Sequence, residues 1–253
     1  MAMMATARNL LFATVGVTGV LWAPPVSAED SRPVLETLKA FHPQLEYHPV
    51  GAVLPKGKLR PTSLLRMHPA GFRSDTYNLM LQPTYGLGAG WEVSTGFTSA
   101  ERLGAGGTAL FFGLGVQKQF ISEKSRRPAV SLGFYGMEGP HNHRSSNLYL
   151  AATKQLWQRR KQALFIHGGG KFESFEGDDY GDGSGVRPYM GVSYVPSRRF
   201  SLSAEVSPLQ SWEDANCFAF RATFLVYKQV GITGGTRSNG FRTLPFVSLT
   251  LGL

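Results

Sequence analysis

The stretch that decides the fold spans residues 200–207, which read Phe200-Ser201-Leu202-Ser203-Ala204-Glu205-Val206-Ser207. Apolar and polar side chains alternate along it, and this period of two indicates a β-strand with one apolar and one polar face. In a soluble sandwich the polar face would meet water. In an outer-membrane barrel the apolar face meets lipid and the polar face, with Glu205, lines the lumen. The rest of the chain has to decide between these environments.

The first 28 residues read as a secretory signal peptide. Arg8 precedes an apolar run over residues 10–22, and small residues at Val26 and Ala28 frame a cleavage site. The run is too short to predict a transmembrane helix. Residues 29–57 are expected to form a periplasmic lead-in or a small plug, and residues 58–253 the main domain. The chain has 26 basic and 17 acidic residues, a net charge of +9 that becomes +8 without Arg8.

The main domain reads as about twelve strands in successive hairpins. No helical stripe interrupts the period-two segments, so antiparallel hairpins are the simplest connection. The predicted fold class is therefore all-β, an antiparallel up-and-down transmembrane β-barrel, with a soluble lectin-like sandwich as the alternative. The predicted strands cover residues 59–68, 76–85, 90–98, 107–120, 128–137, 146–155, 163–172, 186–195, 199–207, 216–227, 229–235 and 244–253.

Three patterns favour lipid around the apolar faces. The segments have about the ten residues that span a bilayer when tilted. The connections alternate between short and long, as periplasmic turns and outer loops do in outer-membrane barrels. Aromatic residues mark the strand ends beside the short connections, where they would form an interfacial girdle. The predicted girdle comprises Tyr85, Trp91, Phe120, Trp157, Tyr194, Phe200 and Tyr227.

These patterns predict a location in the bacterial outer membrane. The lipid bilayer and lipopolysaccharide are then the surroundings of the barrel, and periplasmic assembly factors are further partners. A positive net charge suits an anionic partner such as lipopolysaccharide or an acidic polysaccharide. Nucleic acid is not expected as a partner, because no basic stripe is interleaved with aromatic residues.

The polar rows of the strands supply the candidate lumen residues. Arg187, Glu205 and Arg221 are expected on neighbouring strands, with Glu205 near Tyr189 and Arg221 opposite Ser203 or Glu205. Such a charged ladder either braces a filled lumen or lines a narrow pore. The full predicted lumen set is Glu92, His167, Lys171, Arg187, Tyr189, Glu205 and Arg221, of which Glu92 has no obvious partner in the sequence.

A His-x-Ser pair at His143 and Ser145 is the candidate for catalysis. It resembles the catalytic strand of outer-membrane phospholipase A, and the resemblance implies a Ser145 nucleophile with His143 as its base. The orienting Asn of that family has no counterpart at the matching distance, so Asn147 would have to be recruited differently. A polar loop is the simpler interpretation, and a lipid hydrolase of phospholipase A or lipid A deacylase type is the alternative.

An acidic outer loop is expected between the seventh and eighth strands. Part of it resembles a calcium loop, but Tyr180 stands where a carboxylate or amide is needed. We therefore predict a solvated loop, no metal site and no cofactor. Its acidic residues are Glu173, Glu176, Asp178, Asp179 and Asp182.

Three stretches carry a family resemblance, namely Gly51-Ala52-Val53-Leu54-Pro55-Lys56-Gly57-Lys58-Leu59, Tyr85-Gly86-Leu87-Gly88-Ala89-Gly90-Trp91-Glu92-Val93 and Ser197-Arg198-Arg199-Phe200-Ser201-Leu202-Ser203-Ala204-Glu205. They resemble the YjbH-like family of exopolysaccharide-associated barrels. The resemblance implies export or surface handling of a polysaccharide. The predicted function is a non-enzymatic, porin-like barrel for passage, export or surface assembly of polysaccharide or small solutes. A structural barrel whose outer loops bind a partner is a further alternative.

Overall fold

A computed structural model gives the fold of most of the chain after residue 48. The predicted signal peptide, residues 29–48 and the acidic positions 178–182 lie outside the described residues. Within the described part, no helix has the length and apolar character needed to cross a membrane. The structure describes residues 49–60, 63–66, 78–101, 108–124, 127–140, 143–159, 162–176, 183–197, 199–207, 217–227, 230–238 and 243–251.

The described residues form one antiparallel sheet. Each strand from β4 onward is hydrogen-bonded to the next strand along the chain, so the topology is up-and-down and differs from a two-sheet sandwich. The predicted all-β, antiparallel, up-and-down fold is confirmed. The strands are β1 (Leu59–Arg60), β2 (Ser63–Arg66), β3 (Asn78–Leu81), β4 (Thr84–Gly88), β5 (Trp91–Glu101), β6 (Thr108–Ile121), β7 (Ala129–Glu138), β8 (Arg144–Arg159), β9 (Gln162–Glu176), β10 (Gly183–Ser197), β11 (Phe200–Ser207), β12 (Cys217–Tyr227), β13 (Val230–Ser238) and β14 (Thr243–Leu251).

The first four strands form two strands that are each interrupted once: β1 continues as β2, and β3 continues as β4. β1 pairs with β4 and β2 with β3, and both ladders keep the same offset. β3 and β4 also share one register against β5. The gap between β3 and β4 contains Pro83, which has no N–H to donate to a ladder. At the other end of the sheet, Cα atoms of β14 lie within 8 Å of Cα atoms of β2.

The two faces of the sheet have opposite chemical character. On the outer face large apolar side chains are exposed, to 69% for Leu114 and 62% for Phe112. On the inner face polar side chains are buried, with Glu205 only 5% exposed. β11 shows both within one strand, because Val206, next to Glu205, is 46% exposed. A protein surrounded by water buries its apolar side chains instead, so this distribution is inverted.

The β4–β5 connection is a tight two-residue turn. Ala89 and Gly90 have φ angles of 49° and 77°, and the flanking Gly88 and Trp91 are paired. Positive φ at both central residues is the requirement of a type I′ hairpin, whose twist matches that of the strands. Lys118 of β6 donates a hydrogen bond from Nζ to the carbonyl of Ala89 at 2.6 Å, which ties the turn to the next hairpin.

The β6–β7 connection covers a lysine on the outer row of β8. Lys154 lies in the row of Leu148 and Leu150 but is only 1% exposed. Its Nζ donates to the carbonyl of Lys124 at 2.8 Å, and the backbone N–H of Gln155 donates to the Glu123 carboxylate. Burial raises the pKa of Glu123 above its usual value, while the Gln155 hydrogen bond and the Lys154 charge act in the opposite direction.

Candidate functional site

The inner face is lined by buried polar side chains from almost every long strand. Alternation along each strand puts them on the face opposite the exposed apolar rows. Hydroxyl and amide groups outnumber charged groups among them, so the face can offer both donors and acceptors to a polar molecule. The set comprises Glu92, Gln117, Ser131, Thr153, His167, Lys171, Ser193, Ser203, Glu205, Thr223 and Thr233, each at most 9% exposed.

Residues 49–55, which we call the inner segment, lie along this face and belong to no strand. The Tyr189 hydroxyl donates to the carbonyl of Pro49 at 2.9 Å, and the backbone N–H of Leu54 donates to Glu92 Oε2 at 2.8 Å. Tyr189 is on β10 and Glu92 on β5, five strand spacings apart, about 24 Å along the sheet. The inner segment therefore crosses the space in front of six consecutive strands.

Gln117 of β6 makes the central contact with the inner segment. Its Nε2 donates to the carbonyl of Val50 at 2.9 Å and to Ser131 Oγ at 2.8 Å, and its Oε1 accepts from the Tyr149 hydroxyl at 2.9 Å. Both amide hydrogens and the amide oxygen are thus engaged, which fixes the orientation of the amide. Ser131 Oγ also lies 3.4 Å from the Val50 carbonyl.

Gly51 is where the inner segment lies closest to the sheet. Its N–H donates to Thr153 Oγ1 at 2.8 Å. A Cβ added at Gly51 would lie 2.5 Å from the Ala129 carbonyl oxygen and 2.8 Å from the Thr153 nitrogen. Both neighbours are backbone atoms of paired strands, so they cannot give way as a flexible side chain can. Only glycine fits at this position without moving the segment.

A buried histidine continues the network from the inner segment into the sheet. His167 of β9 has Nδ1 3.0 Å from Thr153 Oγ1 and Nε2 2.9 Å from Ser193 Oγ. Its ring stacks on Phe165 with ring centroids 6.5 Å apart. Both ring nitrogens have hydroxyl partners, so His167 connects β8 and β10 across β9. One of these partners, the Thr153 hydroxyl, accepts the hydrogen bond from the Gly51 N–H.

Three tyrosines of the inner face lie against glycines of a neighbouring strand. A Cβ at Gly133 would be 2.3 Å from the Tyr149 ring, and one at Gly169 would be 2.7 Å from the ring of Tyr189. Tyr135 occupies the space over Gly113 in the same way, 2.6 Å from such a Cβ. The missing side chains let large rings lie flat along the sheet, which brings the hydroxyls of Tyr149 and Tyr189 toward the inner segment.

A charged cluster lies on β9 and β10. Lys171 Nζ contacts Glu173 Oε1, and Arg187 Nε lies 3.0 Å from Glu173 Oε2. Arg187 Nη1 also lies 3.6 Å from Cys217 Sγ. The three charged side chains are 20% exposed or less, so charge neutralisation matters here more than at an exposed surface. In these contacts Lys171 and Arg187 share the carboxylate of Glu173.

Glu173 shows where the sequence analysis was wrong. β9 extends to Glu176, so Glu173 and Glu176 belong to a strand and not to the acidic outer loop. Alternation puts Glu173 on the same face as Lys171, one residue beyond the predicted end of the strand at 172, and β9 continues to Glu176. The expectation that Glu92 lacks a partner was also wrong, because Glu92 accepts the Leu54 N–H.

The other predicted lumen residues take these positions. Glu205 is paired in register with Gly191 on β10 and Ala219 on β12, and Arg221 is paired with Ser203. Tyr189 is on the inner face and 1% exposed. Of the predicted girdle, Tyr85, Trp91, Phe120 and Trp157 are exposed, Tyr194 and Phe200 are partly buried, and the Tyr227 side chain lies outside the described part. Their role at a membrane interface stays a prediction.

The catalytic candidates lie at the start of β8. His143 precedes the strand, with its ring 6.2 Å from the ring of Phe111. Ser145 and Asn147 follow in the row of Tyr149, and Asn147 Oδ1 is buried without a hydrogen-bond partner in the described part. The hydrolase alternative stays a prediction.

Comparisons with known proteins support the fold. The chain is similar to the solved structure of the KdgM porin, with a TM-score of 0.55, 8% identity, and coverage of 78% of this chain and 98% of that one. It is also similar to an outer membrane channel from Pseudomonas putida F1, with a TM-score of 0.50, 13% identity, and coverage of 82% and 100%. The sheet resembles outer-membrane β-barrels.

No protein-family model matches the sequence, and no curated protein matches it either. The resemblance to the YjbH-like family therefore finds no support in these comparisons and stays a prediction. The likeness to an outer-membrane barrel rests on the strand order and on the inverted distribution of polar and apolar side chains.

Proposed function

We propose that this chain closes into a twelve-stranded barrel in the bacterial outer membrane and passes small hydrophilic solutes. The observation that carries the proposal is the inverted sheet, with apolar side chains exposed outside and polar side chains buried inside. Only a lipid environment makes the exposed rows of Leu114 and Phe112 favourable. The similarity to two outer-membrane channels supports the same function.

Closure of the barrel is supported by the two ends of the sheet. Cα atoms of β14 lie within 8 Å of those of β2. Taking β1 with β2 and β3 with β4 as single interrupted strands gives twelve positions around the wall. A barrel of this size is intermediate between small filled barrels and wide porins, and the inner segment and the tyrosine rings narrow it further. We therefore expect a low conductance.

The charged cluster would set the ion preference of such a channel. Lys171 and Arg187 both contact the Glu173 carboxylate, so replacing any of the three changes the charge that a passing ion meets. Glu173→Gln should increase the preference for anions, and Arg187→Gln, which has the same amide end group, should decrease it. The polysaccharide implied by the YjbH-like resemblance and an anionic partner remain proposals, and the hydrolase gains no specific observation.

The experiment is reconstitution of the purified protein in a planar bilayer. Single-channel steps should appear, and the reversal potential in a KCl gradient should shift in opposite directions for Glu173→Gln and Arg187→Gln. Folding is checked independently by a change in gel mobility on boiling. The channel function would be overturned if wild type and every variant that folds by this criterion produced no conductance steps.

A further inference from the structure

The inner segment occupies a well-defined set of hydrogen-bonding side chains. We call this set the wall patch: Glu92, Gln117, Ser131, Tyr149, Thr153 and Tyr189. They come from β5, β6, β7, β8 and β10. Five of them hydrogen-bond backbone groups of residues 49–54, and Tyr149 donates to the amide oxygen of Gln117. Side chains that bond backbone carbonyls and N–H groups recognise a polar chain by its repeating donors and acceptors.

We propose that the wall patch is a binding site for an uncharged, linear, hydroxyl-rich solute, and that the inner segment is its resident competitor. The patch offers four hydroxyls and one amide, and two of the hydroxyls are on aromatic rings. It contains one carboxylate and no basic group, which favours an uncharged chain over an anionic one. The proposal rests on the channel function proposed above and names the class of solute that the channel takes.

The geometry makes the competition direct. At one end of the patch the Pro49 carbonyl accepts from Tyr189, and at the other the Leu54 N–H donates to Glu92. The backbone groups of Val50 and Gly51 occupy the centre of the patch. A solute cannot reach the Gln117 amide while the Val50 carbonyl holds it, because both amide hydrogens are used. The inner segment thus both narrows the channel and covers the binding groups.

Gly51 gives a way to remove the segment without altering the patch. A side chain at Gly51 would meet backbone oxygen and nitrogen atoms within 2.8 Å, so Gly51→Val should displace the segment from the sheet. Gly234→Ala is the control, because the nearest atom to a Cβ there is 3.8 Å away. Tyr189→Phe keeps the ring on Gly169 and removes only the hydroxyl that bonds Pro49.

The test is single-channel recording of the full-length protein with maltohexaose as the probe. Gly51→Val should conduct more than wild type and show sugar-induced interruptions, and Gly234→Ala should behave as wild type. Adding Tyr189→Phe to Gly51→Val should keep the higher conductance and weaken the sugar block between about twofold and about tenfold, as expected for one hydrogen bond.

The outcomes separate this inference from the channel function. If no variant conducts although all of them show the gel-mobility change, the channel function fails. If wild type conducts and folded Gly51→Val conducts equally, the inner segment does not obstruct the channel and the competition is refuted. If Gly51→Val conducts more but maltohexaose does not block it, or blocks it equally with Phe at position 189, the wall patch is not the solute site.

Discussion

Replacing an exposed leucine by arginine tests the central claim that the outer face of the sheet meets lipid. Leu114 is 69% exposed and lies near the middle of β6, six residues after Thr108 and seven before Ile121. Each end of the strand is therefore about 20 Å away along the strand. An arginine at the bilayer midplane of a barrel costs about 2–4 kcal/mol.

Leu87→Arg is the matched control. Leu87 is also exposed, to 48%, but it lies at the end of β4, two residues before the Ala89–Gly90 turn. Near the interface the same substitution costs only about 0–1 kcal/mol. The two variants should thus differ by at least about 1 kcal/mol, with Leu114→Arg lowering the folding equilibrium constant by roughly 30-fold or more.

The assay is equilibrium folding into phosphatidylcholine vesicles across a urea series, followed by tryptophan fluorescence and by gel mobility without boiling. If the outer face met water, both substitutions would be ordinary surface changes within about 0.5 kcal/mol of wild type. Equal, near-zero effects of Leu114→Arg and Leu87→Arg would therefore refute the inverted-sheet argument.

Three further predictions concern packing, pH and chemistry. Gly133→Ala places a Cβ against the Tyr149 ring and should destabilise the fold by about 1–3 kcal/mol, whereas Gly234→Ala should be nearly neutral in the same urea assay. The pKa of Glu123 is raised by burial, so its contribution to stability is present below pH 4.5 and is lost as pH rises through the folded pKa. Glu123→Gln should therefore flatten the pH dependence of the urea midpoint above pH 4.5, and an unchanged profile would count against this reasoning. Purified protein should release no fatty acid from phospholipid vesicles, and an activity that Ser145→Ala removes would establish the hydrolase instead.

The local pattern was enough to predict the strands and their faces. Each predicted strand overlaps a strand of the structure, because a period of two over seven or more residues leaves little choice of conformation. The predicted alternation of side chains between the two faces of the sheet also holds in β11, where Val206 is exposed and Glu205 is buried. Register between neighbours followed from the hairpins, so Arg221 pairs with Ser203, one of its two expected positions.

The contacts across the inner face were not predictable in the same way. Gly51 and Thr153 are 102 residues apart in sequence, and Leu54 and Glu92 are 38 apart. Nothing in the local pattern of residues 49–55 marks their partners, since the contacts use backbone groups that every residue has. Glu173 was misplaced because the strand continues for four residues past Phe172, the last apolar residue of its outer row.

The sequence by itself determined which side chains share a face, because alternation is a property of each strand alone. It did not determine which face meets water or what fills the space inside, because both depend on the curvature and register summed over the whole sheet. Glu205, in the strand at residues 200–207, is 5% exposed on the polar face of the assembled sheet. The tertiary structure alone decided that residues 49–55 lie there, since only the assembled sheet brings Glu92 and Tyr189 within reach of one short segment.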